Sequence, residues 1–161
     1  MQPQKSFTTK IAIILSTFFY VGHFPFASGT VASFVALVIY WFIPGFERIE
    51  IMVTMIIFFS ILGFWSGTIA EKEYGNDPPQ VVIDEVVGMW ISLLFIPKTL
   101  ILSALSFFLF RLFDIVKPYP ANSSQKLNGG YGIMMDDIIA GFYTVVFIQL
   151  IVIIFPDILG L

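Results

Sequence analysis

The sequence contains no cysteine, a single histidine and few charged residues. Of its 161 residues, 12% are charged and 58% are hydrophobic, and the net charge is −3. Without cysteine there is no disulfide framework, no thiolate nucleophile and no cysteine-based zinc site. A nucleic-acid partner is not expected, because binding one requires a basic face. Any catalysis must therefore use oxygen and nitrogen groups.

Long apolar segments indicate a membrane protein. The mean hydropathy is +0.92, which lies outside the range of soluble domains. Several segments approach the length of about 20 apolar residues that a helix needs to cross a bilayer. We therefore expect an all-α integral membrane protein with a single domain over residues 1–161. The expected architecture is a compact bundle of about four membrane helices plus broken or re-entrant segments.

The N-terminal third contains an uncharged segment that is too long for one membrane helix and too short for two. Residues Ile11–Phe46 carry no Asp, Glu, Lys or Arg, and we expect a break at Gly22–Gly29, where Pro25 removes a backbone donor. Lys5 and Lys10 before this run are compatible with a signal peptide. The apolar and aromatic residues continue past any small-residue cleavage site, which favours retained membrane structure.

Two later segments are predicted to span the membrane, and the region between them is predicted to form a hairpin. Ile51–Ala70 and Ile138–Phe155 are predicted spans. The apolar region from 86 to 110 is interrupted by Pro97-Lys98. As one continuous span it would place Asp84 and Asp114 on opposite membrane faces, whereas a broken hairpin would keep them together. The proline and the charge at the midpoint favour the hairpin.

Acidic residues are concentrated between Glu71 and Asp137, and some of them have apolar flanks. Charges at membrane depth are costly, so the pairs at 84–85 and 136–137 need a reason. Converging carboxylates would repel one another unless a cation joined them, and magnesium prefers oxygen ligands together with substrate phosphate. The alternative is separate charges at helix N-termini. The candidate catalytic residues and Mg²⁺ ligands are Asp84, Glu85, Asp114, Asp136 and Asp137.

Three side chains are candidates for binding phosphate, and two of them have a structural alternative. Lys117 lies where a helix should stop before Pro118, so its ammonium is free to bind an anion. Arg111 could bind phosphate or form an intrahelical ion pair with Asp114. Thr30 could contact the ligand, cap its helix or do both. The single histidine, His23, could act as acid or base but is more often structural in such a loop.

Gly129–Gly132 precede the second acidic pair. They could let backbone N–H groups approach an anion at a helix N-terminus. They could equally form an ordinary turn, so this motif is weak by itself.

The chain resembles the bacterial phosphatidylglycerophosphatase A family. Three ordered blocks carry the resemblance, and with the weaker Gly29-Thr30 loop they extend over residues 22–141. The blocks are Ile-Asp-Glu-Val-Val-Gly-Met-Trp-Ile at 83–91, Phe-Arg-Leu-Phe-Asp-Ile-Val-Lys-Pro-Tyr-Pro at 110–120 and Gly-Gly-Tyr-Gly-Ile-Met-Met-Asp-Asp-Ile-Ile-Ala-Gly at 129–141. The family pattern usually has proline where this sequence has Ser28, and glycine where it has Ala32.

The resemblance implies a magnesium-dependent lipid phosphatase of phospholipid biosynthesis, which converts phosphatidylglycerophosphate to phosphatidylglycerol and phosphate. It implies a multi-pass protein of the bacterial inner membrane. The site residues that it implies are Asp84, Glu85, Arg111, Asp114, Lys117, Asp136 and Asp137, with Thr30 as a contributor. The bias of basic residues towards the site side independently predicts that this side faces the cytoplasm.

Two other functions remain open on sequence grounds, and the oligomeric state is not determined. A lipid head-group transferase would also use aspartates and magnesium, but the usual Asp-x-x-Asp-Gly signature is missing. A cation-coupled transporter would use broken helices and buried carboxylates, but the chain shows no internal repeat.

Overall fold

The computed structural model describes residues 6–155, and within them the chain is helical with no strand. A 3-10 turn, Val21–His23, separates the first two helices. The helices are α1 (Phe7–Ser16), α2 (Ser28–Phe42), α3 (Ile49–Tyr74), α4 (Ile83–Ser92), α5 (Leu100–Val116), α6 (Ala121–Ser124) and α7 (Gly130–Ile154). The predicted all-α class is confirmed for these residues. Lys5, on which the signal-peptide alternative depends, lies outside them.

Two helices, α3 and α7, are long and apolar enough to cross a membrane. Each contains a long stretch with few charged residues, and α1 and α2 are shorter apolar helices. The predicted spans Ile51–Ala70 and Ile138–Phe155 fall on α3 and α7. Both helices begin before the predicted positions, and α7 does so by two turns. The expectation of about four membrane helices stays a prediction.

Helix α4 lies at the centre of the fold. Nearly all its side chains are buried, and it packs against α2, α3, α5 and α7. Trp90 anchors it, because its indole N–H donates to the carbonyl of Ala36 at 3.1 Å. The Trp90 ring also packs against Phe46 and Phe59, with centroid distances of 5.1 and 5.3 Å. This aromatic cluster fixes the position and rotation of α4.

Two glycines allow α4 and α7 to approach closely. A Cβ added to Gly141 would lie 2.6 Å from the carbonyl oxygen of Gly88. A Cβ added to Gly88 would lie 2.8 Å from the carbonyl oxygen of Asp137. Small residues at such crossings let helix backbones touch. Asp84 lies one turn before Gly88, and Asp137 lies one turn before Gly141, so this crossing brings the two carboxylates together.

Both predicted interruptions are present. The chain leaves helical structure between α1 and α2, and it breaks again between Ser92 and Leu100. Asp84 and Asp114 line the same cavity, as the broken hairpin requires. The second arm is longer than predicted, because α5 continues through Arg111 to Val116. The predicted dip of this hairpin into the bilayer stays a prediction.

Candidate active site

An acidic cavity of about 280 Å³ lies between the start of α4, the end of α5 and the second turn of α7. All five predicted carboxylates and Lys117 line it, together with residues of the loop before α4. The complete lining is Asp77, Pro78, Pro79, Val81, Asp84, Glu85, Asp114, Ile115, Lys117, Asp136 and Asp137. Three separate parts of the sequence therefore converge on one site.

Three of the carboxylates form a compact group suited to a cation. Asp84, Glu85 and Asp137 each offer an oxygen, and these oxygens all lie within 4.8 Å of one another. Each of these side chains also has a buried oxygen without a hydrogen-bond partner. Buried polar atoms in proteins nearly always have partners. These three orphaned oxygens fit a hard divalent cation, which takes oxygen ligands.

The other two carboxylates are paired with basic side chains. An oxygen of Asp114 lies 2.8 Å from Nη1 of Arg111 and the other lies 3.6 Å from Nζ of Lys117. The Lys117 ammonium also donates a hydrogen bond to Asp136. The five acidic side chains thus divide into three with orphaned oxygens and two with cationic partners.

The arrangement of charges shifts the pKa values of Asp84, Glu85 and Lys117, which lie outside the two candidate spans. Burial raises the pKa of Asp84 well above its usual value, and the Glu85 charge adds to the effect. Burial also raises the pKa of Glu85, to about 7. For Lys117, burial opposes the charge, but the hydrogen bond to Asp136 outweighs it and the pKa is raised. Lys117 is therefore a permanent cation at neutral pH.

Arg111 and Thr30 are not among the residues that line the acidic cavity. Arg111 is held by Asp114 and lies 3.5 Å from the hydroxyl of Ser33, so the predicted alternative of an intrahelical ion pair is present. Thr30 is half-buried in the first turn of α2. Its neighbour Gly29 contacts the site indirectly, since a Cβ there would lie 2.1 Å from an oxygen of Glu85.

The predicted position of Asp136 at the N-terminus of its helix is wrong. Helix α7 begins at Gly130, so the acidic pair lies inside the helix and not at its N-terminus. The N–H of Gly130 donates to the hydroxyl of Thr68 at 2.8 Å. A Cβ on Gly130 would lie 2.2 Å from the carbonyl oxygen of Phe64. These glycines therefore allow α7 to pack closely on α3.

The loop before α4 contributes residues that sequence reasoning missed. Asp77 is not one of the predicted site residues, but it lines the acidic cavity with Pro78 and Pro79. The hydroxyl of Ser28 donates to the carbonyl of Pro79 at 2.7 Å, which ties this loop to α2. The doubled proline was the available signal for a rigid wall. His23 lines a neighbouring depression of about 470 Å³.

Comparisons with known proteins identify relatives along most of the chain. The model of a family described as Phosphatidylglycerophosphatase A matches residues 14–152. A Bacteroides thetaiotaomicron protein named "Putative phosphatidylinositol-3-phosphatase" is 35% identical over 147 residues, which cover 86% of this chain and 91% of that protein. Phosphatidylglycerophosphatase A of Escherichia coli is 31% identical over 131 residues, which cover 80% of this chain and 76% of that protein.

A third relative matches over a shorter region. Phosphatidylglycerophosphatase A of Haemophilus influenzae is 45% identical over 75 residues, which cover 44% of this chain and 45% of that protein. No solved structure gives a significant match.

Proposed function

The chain belongs to the phosphatidylglycerophosphatase A family, and from this premise we propose that it hydrolyses the phosphomonoester of phosphatidylglycerophosphate. The family makes it a phosphatase, a phosphoric monoester hydrolase. Family membership and two candidate spans also make it a membrane protein. The proposed products are phosphatidylglycerol and phosphate, which would place the enzyme in phospholipid biosynthesis.

One observation carries the proposal: three orphaned carboxylate oxygens lie in the same cavity as a half-buried lysine. The oxygens belong to Asp84, Glu85 and Asp137, and the lysine is Lys117. Metal-assisted phosphoryl transfer needs carboxylates for the cation and a positive group for the phosphate. The acidic cavity supplies both from this chain alone.

We propose that Mg²⁺ is the cation and that Asp84, Glu85 and Asp137 hold it. Six carboxylates and one lysine line the acidic cavity, so a phosphate group would be repelled from it without added positive charge. When bound, the metal would supply Lewis-acid chemistry at a phosphoryl oxygen. Asp114 and Asp136 would complete the acidic set by holding Lys117.

Lys117 is the proposed phosphate ligand of the protein. A lysine ammonium carries three donors, and contacts with Asp114 and Asp136 hold this one at the cavity wall. It can therefore donate to a phosphate oxygen while keeping its carboxylate partner. Arg111 acts as a positioning residue in this proposal, because it orients Asp114 and does not itself line the cavity.

We propose that water attacks the phosphorus directly. Cysteine is absent from the sequence, and no serine, threonine or histidine lines the acidic cavity among residues 6–155. The water oxygen forms a bond to phosphorus while the bond from phosphorus to the head-group oxygen breaks. Of the two water protons, one ends on the released head-group hydroxyl, and the carboxylates of the cavity are the acceptors that can relay it.

A second substrate has support from one relative. The Bacteroides thetaiotaomicron protein, which this chain matches over 91% of its length, bears a name that specifies a phosphatidylinositol 3-phosphate. That lipid also carries a phosphomonoester on its head group, so the same acidic cavity would serve. The two substrates differ in the group beyond the phosphate, and direct comparison of their hydrolysis separates them.

The proposed location is the bacterial inner membrane, with several passes and the acidic cavity facing the cytoplasm. The acidic cavity lies at the start of α4 and the end of α5. At the other ends of these helices, Lys98 contacts Glu47 at 2.9 Å. More basic residues lie on the cavity side, and a basic bias is typical of cytoplasmic faces. The cavity-side residues are Lys72, Arg111, Lys117 and Lys126, against Arg48 and Lys98 opposite.

Phosphate release by the purified protein tests the proposed function. In detergent micelles containing phosphatidylglycerophosphate, we expect release with Mg²⁺ and loss of release after chelation. Restoring Mg²⁺ should restore it. Parallel reactions with phosphatidylinositol 3-phosphate test the second substrate. Release that is insensitive to chelator would exclude the metal proposal, and no release from either lipid would exclude both proposed substrates.

A further inference from the structure

An apolar groove of about 560 Å³ lies between α5 and α7. Its walls include Phe113 and Pro118 on one side and Tyr143, Val146, Phe147 and Leu150 on the other. The phenol of Tyr143 donates to the carbonyl of Tyr119 at 2.8 Å, which fixes one rim. A neighbouring depression shares Val146 and Leu150 with the groove and extends it along α7. The groove is therefore a shaped apolar surface with a fixed rim.

The apolar groove and the acidic cavity are adjacent along both α5 and α7. On the α5 side, the cavity residue Lys117 is followed directly by the groove residue Pro118. On α7, Asp136 and Tyr143 are seven residues apart and therefore lie on the same helix face. Leu150 continues that face by another seven residues. At about 1.5 Å per residue, each of these steps is roughly 10 Å long.

This spacing matches the layout of a lipid phosphomonoester. In phosphatidylglycerophosphate, about eight bonds separate the terminal phosphorus from the diacylglycerol, or roughly 9 Å when extended at about 3.5 Å per three bonds. We propose that the apolar groove binds one acyl chain of the substrate while its phosphate contacts Lys117. The inference rests on the proposed function, because it takes a lipid phosphomonoester as the ligand.

Adjacency to the acidic cavity distinguishes this groove from another apolar depression. Pro118 of the groove directly follows the cavity residue Lys117. The depression around Phe18, Ile39 and Phe59 has no lining residue next to a cavity residue in the chain, so a lipid bound there has no evident connection to the phosphate. In the groove, Val146 and Leu150 are 59% and 51% exposed, so a chain can reach them.

Filling the groove tests this inference. Val146→Trp should lower kcat/KM for long-chain phosphatidylglycerophosphate by about tenfold, because the indole would occupy the space of the acyl chain. For a short-chain analogue, whose tail does not reach Val146, the value should change by less than about twofold. The short-chain reaction also reports that the variant is folded and that its acidic cavity is intact.

Ile153→Trp is the matched control. Ile153 is also β-branched, lies on α7, is 72% exposed and does not line the groove. This variant should keep the wild-type ratio of long-chain to short-chain activity. If Val146→Trp leaves the ratio of long-chain to short-chain activity unchanged, with or without an equal loss for both substrates, the inference is overturned.

A binding experiment separates failure of the groove from failure of the proposed function. A non-hydrolysable phosphonate analogue of phosphatidylglycerophosphate with a photoactivatable acyl chain is crosslinked to the wild-type protein in the presence of Mg²⁺, and the adducts are mapped by mass spectrometry. Adducts within residues 143–150 support the groove whether or not turnover occurs. Adducts on the outer face of α3, or a contact between two copies of the chain at α7, would overturn it.

Discussion

The acidic side chains of the cavity differ in what surrounds them, and this difference assigns their roles. Asp114 and Asp136 have cationic partners, so they are satisfied in the protein alone. Asp84, Glu85 and Asp137 retain buried oxygens without partners. Buried carboxylates crowded together repel one another and carry a desolvation cost. The second group is therefore strained without a cation, and the first group is not.

Removing one charge from the strained group should separate activity from stability. We expect Asp84→Asn to lower phosphate release at least about a hundredfold, because a ligand of the proposed Mg²⁺ is lost. The metal-free variant should be as stable as the wild type or more stable, because repulsion falls. Thermal unfolding with and without Mg²⁺ checks this, since Mg²⁺ should raise the Tm of the wild type and not of the variant.

Glu50→Gln is the control for this prediction. Glu50 is exposed at the start of α3 and lies 4.0 Å from Arg48, far along the chain from the acidic cavity. Its activity and its Tm response to Mg²⁺ should match the wild type. A strong loss of metal-free stability in Asp84→Asn would contradict the assignment of Asp84 to the strained group.

Lys117 has the opposite role, so its removal should have the opposite effect on stability. Lys117→Met leaves Asp136 and Asp114 short of a cationic partner, and we expect destabilisation of about 2 kcal/mol together with loss of activity. Lys117→Arg should restore most of the stability because the charge returns. Lys126→Met, at an exposed lysine, is the control and should change neither property. Chemical denaturation and phosphate release provide the two measurements.

The crossing of α4 and α7 sets the geometry of the site, and it shows what the sequence could predict. The sequence predicted both helix breaks from Pro25 and Pro97, because proline acts locally. For Gly129–Gly132 it left open an anion-binding helix N-terminus or an ordinary turn, whereas in the structure Gly130 begins α7 and packs against Phe64. Glycine has two uses, a turn and a close contact, and only the packed partner decides between them.

A methyl group at the crossing of α4 and α7 should therefore disturb the arrangement of Asp84, Glu85 and Asp137. A Cβ on Gly141 would lie 2.6 Å from the backbone carbonyl of Gly88, so Gly141→Ala must push α4 and α7 apart. We expect destabilisation of about 1–3 kcal/mol and a weaker Tm response to Mg²⁺. Phe142→Ala, at the next and exposed position of α7, should keep the metal response. An unchanged metal response in Gly141→Ala would show that the crossing does not set the site geometry.

The sequence could predict part of the arrangement in which polar helix ends meet at one site and apolar helix faces surround it. Apolar flanks identified the pairs at 84–85 and 136–137 as unusual carboxylates, and the structure places both pairs in one cavity with Asp114. The division between orphaned and paired carboxylates was not predictable, because it depends on side-chain distances across three helices. Asp77 was missed for a similar reason, since a loop charge next to prolines looks solvated until the loop is folded against α4.

Membrane orientation can be tested by labelling, because the sequence has no native cysteine. Glu50→Cys and Lys126→Cys place single thiols at exposed positions, the first near the Glu47–Lys98 contact and the second on the cavity side. In intact spheroplasts, a membrane-impermeant maleimide should label Glu50→Cys at once, and Lys126→Cys only after the membrane is opened. The basic bias of the cavity side predicts this result. Labelling of Lys126→Cys in intact cells, with phosphatase activity retained, would place the acidic cavity on the outer face and reverse the proposed orientation.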